Sequence, residues 1–194
     1  MRKIEFRKQI TKKDCVPTSF INAMIYLFGM QEGIPNEIVQ GIYLRTINDS
    51  DGTSGQEVKN LCHWLSNYSN NRNNFSVKAI YKEGDDVDFN KLKKYVKKEN
   101  SCALLSIKGD NMKDGALHYI ALFRYEDRYF YCFDPLYVKG RKEDKKGNVL
   151  WSLGIFEECN LKISIDFFKR KGKKQKYQSK KDEQECVLIE RIDK

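Results

Sequence analysis

The spacing of apolar residues changes partway along this 194-residue chain, and that change restricts the fold more than any other feature. In the first half they recur at three and four: Phe20, Ile21, Met24, Ile25, Leu27 and Phe28, then Val58, Leu61, Cys62 and Leu65, then Phe89, Leu92, Tyr95 and Val96. Such spacing paints one face of a helix. From Ser101 the pattern becomes that of strands: Cys102 to Ile107, then Leu117–Tyr125 and Arg128–Asp134, two nearly continuous apolar runs joined by a polar turn at Glu126-Asp127. Helices first and an antiparallel sheet second give an α+β chain.

In more detail, helices are predicted over 15–30, from Ile34 to Leu44 with Pro35 near the start, over 56–67 with Ser54 or Thr53 as cap, and from Asp88 to about Lys98. Phe75–Tyr81 alternates as a strand. A turn is expected at Gly147-Asn148, one or two strands between Ile155 and Phe168, and a last strand from Glu185 to Ile192. The expectation is one domain over 1–194, mainly helical in 1–100 and mainly β in 101–194. No internal repeat is visible.

The net charge of +9 raises the question of a polyanionic partner. Most of the excess sits in one run, Lys169 to Lys181, which holds eight Lys or Arg and no acid. It lies between the strand-like segments Leu161–Phe168 and Cys186–Ile192, so it is expected to be an extended, solvated hairpin loop that can meet an acidic partner. With Tyr177 as its one aromatic, it lacks the stacking platforms of a single-strand binder, which argues against nucleic acid.

Six cysteines stand at 15, 62, 102, 132, 159 and 186, never as CxxC. Neither His63 nor His118 has cysteines at ligand spacing, so no structural zinc site and no cofactor are expected. The N-terminus has no apolar run resembling a signal peptide, and no stretch reaches the roughly 20 apolar residues that span a bilayer. Free thiols and these absences together predict a cytoplasmic location.

Cys15 is the first candidate for chemistry. It opens the first predicted helix, with Pro17 in the first turn, where a missing N–H costs nothing. Unpaired N–H groups and the positive end of the helix dipole point outward there, a setting that favours the thiolate, and the thiolate is the nucleophile. Such a nucleophile needs a base, a group that orients the base, and oxyanion donors. His63, beside Trp64 and Leu65, reads as structural or exposed. His118 opens the first strand of the hairpin, just after a glycine-containing loop, where scaffolds tend to hold functional groups. A turn centred on Asp127 sets Asp134 opposite Ile120, one diagonal step from His118; a turn centred on Glu126 sets the two directly opposite. Either way they share a face of the sheet, and a carboxylate there fixes the imidazole. Pro135 stops the strand and holds Asp134 at its end. The Cys15 N–H is one oxyanion donor; the side-chain amide of Gln9, six residues earlier, is one of several polar choices for a second.

Gln9, Asp14-Cys15 with Pro17, His118-Tyr119-Ile120-Ala121-Leu122 and Phe133-Asp134-Pro135 together resemble the bacteriocin-processing, double-glycine-leader peptidases, which are papain-like cysteine peptidases. The intervals are six residues from Gln9 to Cys15 and sixteen from His118 to Asp134. Gly52-Thr53-Ser54-Gly55 before a helix is also similar to that family. The likeness runs over roughly 9–136 and stops before 137–194. It implies a papain-like fold, with a helical part carrying the cysteine packed on an antiparallel sheet carrying histidine and aspartate. It further implies Cys15 as nucleophile, His118 as general base and acid, Asp134 as its orienter and Gln9 in the oxyanion hole, acting on a peptide or protein after small residues such as glycine. Val16 stands where the family usually has glycine, and its branched side chain threatens to crowd a substrate carbonyl.

Two further readings remain beside hydrolysis. The same triad can pass the acyl group to an amine, as a transpeptidase or acyltransferase; alternatively, the chain is a non-catalytic binding module working through 169–181. Deleting 169–181 is expected to reduce salt-sensitive binding to polyanions while leaving Cys15 reactivity intact, as read by binding across a salt series and by thiol alkylation. Lost alkylation would instead make that segment part of the site.

Overall fold

The sheet predicted for the second half is larger than expected and draws on both halves of the chain. The computed structural model describes residues 5–11, 13–29, 33–47, 52–70, 74–108, 117–136, 149–156, 159–169 and 183–193. Among these are helices α1 (Cys15–Phe28), α2 (Asn36–Thr46), α3 (Gly55–Asn67), α4 (Phe89–Tyr95) and α5 (Ile165–Lys169). The strands are β1 (Ser69–Asn70), β2 (Phe75–Glu83), β3 (Ser101–Lys108), β4 (Leu117–Glu126), β5 (Tyr129–Phe133), β6 (Val149–Phe156), β7 (Cys159–Ser164) and β8 (Glu185–Asp193). They form one sheet in the order β1-β2-β8-β3-β4-β5-β7-β6. Every neighbouring pair is antiparallel. The architecture is α+β as predicted, with the qualification that β1 and β2, from the mainly helical half, build one side of the sheet.

Both faces of this sheet are covered, which is why its strands read as continuous apolar runs. On one face Cys102, Leu104, Tyr119, Ala121, Phe123, Val187 and Ile189 meet α1, α2 and α3. On the other, Ala103, Leu105, Ile107, Ile120, Leu122 and Cys132 meet residues of α4 and α5, including Leu92, Phe167 and Phe168. The alternation of neighbours between the two cores is the period-two rule with apolar residues on both sides.

Helix α1 is buried along nearly its whole length, from Cys15 to Ile25 and at Leu27. It ends at Gly29, whose φ of 75° is the left-handed conformation of a helix C-cap. Ser54 caps α3 through a complete capping box with Glu57, and Asp88 caps α4 by accepting from Asn90 N–H at 2.7 Å. Helix α2 lies against α3, and Gly41 is the point of closest approach: a Cβ there would overlap the Trp64 indole, over which Arg45 sits at 4.2 Å.

Three expectations need correction. The segment Leu161–Phe168 is not one strand: β7 stops at Ser164, whose hydroxyl accepts from Asp166 N–H at 3.3 Å, and a turn of α5 buries both Phe167 and Phe168. Phe168 stacks on Phe89 with centroids 5.1 Å apart, a contact that an extended chain alternating faces would forgo. The strands flanking the basic run are not partners in a hairpin: β7 and β8 are not neighbours, and β8 instead lies between β2 and β3. Apart from the Lys169 backbone, the run itself, like the Gly147-Asn148 turn, lies outside the described residues. The β4–β5 turn is Asp127-Arg128, with φ of 47° and 71°, rather than Glu126-Asp127. Positive φ at both central residues is the twist-matched hairpin turn.

Gly41→Ala should lower stability by about 1–3 kcal/mol, the scale of overpacking a well-filled contact, and it should perturb Trp64 fluorescence. Thermal unfolding followed by that fluorescence checks it; an unchanged midpoint would mean that α2 moves away from α3 freely.

Candidate active site

The β4–β5 hairpin contributes two of the candidate side chains, and a single irregularity decides whether they can meet. From its turn the hairpin starts with Glu126 opposite Tyr129 and Tyr125 opposite Phe130. Carried on unbroken, that register sets Asp134 beside Ala121 and turns His118 to the opposite face. A bulge between Leu122 and Arg124 shifts the pairing by one residue, so that Ala121 faces Phe133. Extended one step, this is the register with Asp134 beside Ile120 and His118 one diagonal step away. His118 and Asp134 are each 1% exposed, and Nε2 of the ring lies 2.7 Å from Oδ1 of the carboxylate.

Asp134 is itself held. Its Oδ1 also accepts from Leu136 N–H at 2.7 Å, closing a tight turn over Pro135. Its backbone N–H donates to Asn160 Oδ1 at 2.8 Å, and its carbonyl accepts from Asn160 Nδ2 at 2.9 Å. Ser19 of α1 donates its hydroxyl to the carbonyl of Tyr119, at 2.9 Å, and so ties the helix to the strand next to His118.

Cys15 is the first residue of α1 and is 6% exposed. The Asp14 side chain does not cap the helix. Its carboxylate turns back to accept from the N–H groups of Ile10 and Thr11, each at 2.9 Å, and from the Thr11 hydroxyl at 3.0 Å. The loop before Cys15 is thereby drawn into a fixed path. Upstream, buried Asn22 accepts from Arg7 N–H at 2.7 Å and donates to Arg7 C=O at 2.9 Å. Between these two anchors, Gln9 N–H donates to the carbonyl of Pro135 at 3.0 Å. The structure therefore brings Gln9 against the segment that carries Asp134. Its Nε2 donates to Thr11 C=O at 2.8 Å, which uses one of the two amide hydrogens. Val16 is turned inward, 2% exposed in the core, so its branched side chain is buried beneath the helix mouth.

Two buried side-chain polar atoms among the described residues have no hydrogen-bond partner, and they are His118 Nδ1 and Gln9 Oε1. Burial by itself pushes the His118 pKa down. The hydrogen bond to Asp134, the neighbouring Cys15 side chain and the negative charge of both outweigh it and carry the pKa up to about 9. Cys15 and the ring are thus close enough to interact, although no hydrogen bond closes on Nδ1.

All six cysteines are free and buried. Burial pushes Cys62 and Cys186 up to about 12, and Cys102 and Cys132 well above the usual thiol range. His63 is exposed in α3, with Asn67 Nδ2 3.3 Å from its ring. Among the described residues no group of three or more His, Cys, Asp or Glu side chains could hold a metal ion. No described helix is long and apolar enough to cross a membrane.

Sequence reasoning missed the two clamping asparagines, Asn22 and Asn160, each fully buried in an apolar stretch. That setting was their signal, since a buried amide must find partners. It also missed why Gly52-Thr53-Ser54-Gly55 is built as it is. Gly52 has a φ of 101° and passes close to the Lys13 carbonyl, while Thr53 donates to Thr46 C=O at 2.7 Å. A Cβ at Gly55 would collide with the Glu185 carboxylate, which accepts from the Tyr119 hydroxyl at the foot of α3. Burial and that carboxylate push the Tyr119 hydroxyl well above its ordinary value.

The structure thus brings together the Cys15 thiol at a helix mouth, the His118 imidazole and the Asp134 carboxylate behind that ring. The Peptidase_C39-like family matches residues 1–156, and the chain belongs to that family, which makes it a cysteine peptidase of the C39 type. Among solved structures it is similar to the peptidase domain of Streptococcus ComA, described as a bifunctional ABC transporter involved in quorum sensing; identity is 14%, the TM-score is 0.49, and 98% of each chain is covered. No match is found among curated proteins.

The His118 imidazole should titrate near pH 9, against about 6.5 for a free histidine. Because the folded pKa lies above the unfolded one, the associated stability is complete below about pH 6.5 and is lost as pH rises through about 9. Histidine ring resonances followed by NMR across pH 5–10 check this, and a midpoint at or below the free value would contradict the Asp134 and Cys15 contributions.

Proposed function

We propose that the chain cleaves a peptide bond by papain-like chemistry, through a thioester formed on Cys15. The observation that carries this reading is the state of His118: Nε2 is fixed by Asp134 at 2.7 Å, and Nδ1 is left without a partner beside the Cys15 side chain. An imidazole held in that way can keep a proton on Nδ1 while the thiolate attacks. It can then deliver that proton to the departing amine.

In this reading the Cys15 sulfur adds to the substrate carbonyl, and the oxygen gathers negative charge. The Cys15 N–H, at the first helical position and without an intrahelical acceptor, points to that oxygen together with the second amide hydrogen of Gln9. Collapse of the tetrahedral species breaks the C–N bond, with His118 protonating the nitrogen. Water, deprotonated by the now neutral ring, attacks the thioester, releases the acid and restores the thiolate–imidazolium pair. Asp134 keeps the ring oriented and stabilises its cation throughout.

Family membership supports a peptide substrate, and by extension cleavage after small residues such as glycine. It also supports processing of a leader peptide as the biological setting. Six free thiols favour a reducing, cytoplasmic compartment. Transfer to an amine uses the same steps with a different second nucleophile and remains the alternative. A role for 169–181 in recruiting an acidic substrate adds to either reading.

A limiting dose of an alkylating reagent should modify Cys15 ahead of the other five thiols, and more slowly in His118→Ala. Labelling of all six at equal rates, located by peptide mass mapping, would sink the nucleophile assignment. Gln9→Ala should lower peptide cleavage by about a hundredfold or more while leaving alkylation of Cys15 within a few-fold, since the oxyanion forms only during acyl transfer.

A further inference from the structure

Resting on the proposed function, we infer that Asn160 is a positioning residue for catalysis, holding Asp134 against His118 from a part of the chain beyond the family match. The match ends at residue 156, and Asn160 is the second residue of β7.

Asn160 is 1% exposed, and both ends of its amide are spent on one residue: Oδ1 accepts from Asp134 N–H at 2.8 Å, and Nδ2 donates to Asp134 C=O at 2.9 Å. The pairing of β5 with β7 runs from Tyr129–Ser164 to Cys132–Leu161 and goes no further. At Asp134, therefore, a side chain replaces the backbone ladder. This matters because Asp134 sits at the end of a strand, before Pro135, which has no N–H to give. A carboxylate in such a place would ordinarily swing with the frayed end. The amide instead fixes the backbone on both sides of the Asp134 Cα, and the Leu136 N–H fixes the carboxylate, so that Oδ1 stays on His118 Nε2. The geometry is that of a supporting contact which restrains the residue that restrains the base. An aliphatic residue at 160 would also remove two hydrogen bonds from the buried backbone of Asp134.

The test reads His118 through the reactivity of its neighbour. Alkylation of Cys15 by iodoacetate, an anionic reagent drawn to the imidazolium, is followed across pH in the full chain. The variants are Asn160→Ala, Asn160→Asp, Asp134→Ala and the double variant Asp134→Ala with Asn160→Ala. If Asn160 acts through Asp134, Asn160→Ala slows alkylation at neutral pH and moves the alkaline fall by about one pH unit toward neutrality, a tenfold loss of proton affinity at His118. In the Asp134→Ala background the same change should alter neither rate nor limb, since a contact that works through an absent partner has nothing left to lose. Equal losses in both backgrounds, or a lower melting temperature with an unmoved alkaline limb, would overturn the inference and leave Asn160 a structural residue only. Should Asn160→Ala fail to fold, Asn160→Asp keeps the shape and the acceptor for Asp134 N–H, loses the donor to Asp134 C=O, and is read in the same way. Wild-type alkylation that ignores His118→Ala would instead defeat the proposed function itself, so the two failures are told apart.

Discussion

The site depends on a parity. In an antiparallel hairpin a shift of one residue sends every side chain to the other face. The Asp127-Arg128 turn alone would separate His118 from Asp134 in that way, and the bulge at Phe123 reverses the separation. The extra residue is stabilised by packing, since Phe123 lies stacked between Phe6 at 4.6 Å and Tyr26 at 4.6 Å. The three rings join the N-terminal segment, the bulge and α1 in one contact. The aromatic cluster and the imidazole–carboxylate pair are therefore parts of a single constraint, although no ring of the cluster takes part in the chemistry.

Around that pair the polar groups are arranged as restraints on irregular backbone. Asn22 holds Arg7, Asp14 holds Ile10 and Thr11, and Asn160 holds Asp134. Each hydrogen-bonds the backbone of a loop or strand end and so restrains its path. Regular structure supplies the large-scale placement of the site, and these side chains supply the last ångström. Among the described residues two buried side-chain polar atoms, His118 Nδ1 and Gln9 Oε1, escape this general satisfaction. Unpaired polar atoms collect where a protein has another use for them.

Much of this was legible in the sequence. The Cys15 helix, the cap at Ser54 and the Asp88 start follow from period and capping, whereas the meeting of His118 with Asp134 was expected from a different turn and is owed to the bulge. What escaped reading has physical causes. Leu161 to Phe168 alternates acceptably as a strand, and only the tertiary partner Phe89 makes a helical turn after Ser164 the better way to bury two phenylalanines. The turn was placed one residue early because Glu126-Asp127 and Asp127-Arg128 are equally polar, and the choice rests on twist. The bulge has no local signature at all. The placement of β8 could not be inferred from adjacency, since the sheet order brings together strands distant in the chain.

That order also governs how the molecule can be assembled. Until residues 185–193 arrive, β2 has only β1 beside it and β3 has only β4, so the sheet exists as two pieces with open edges. Such edges invite pairing with other chains, and pairing across long sequence separation is slow. On a ribosome, β1 to β5 emerge well before their closing partner. The two pieces of the sheet therefore join only when synthesis has passed β8, the last strand to be made.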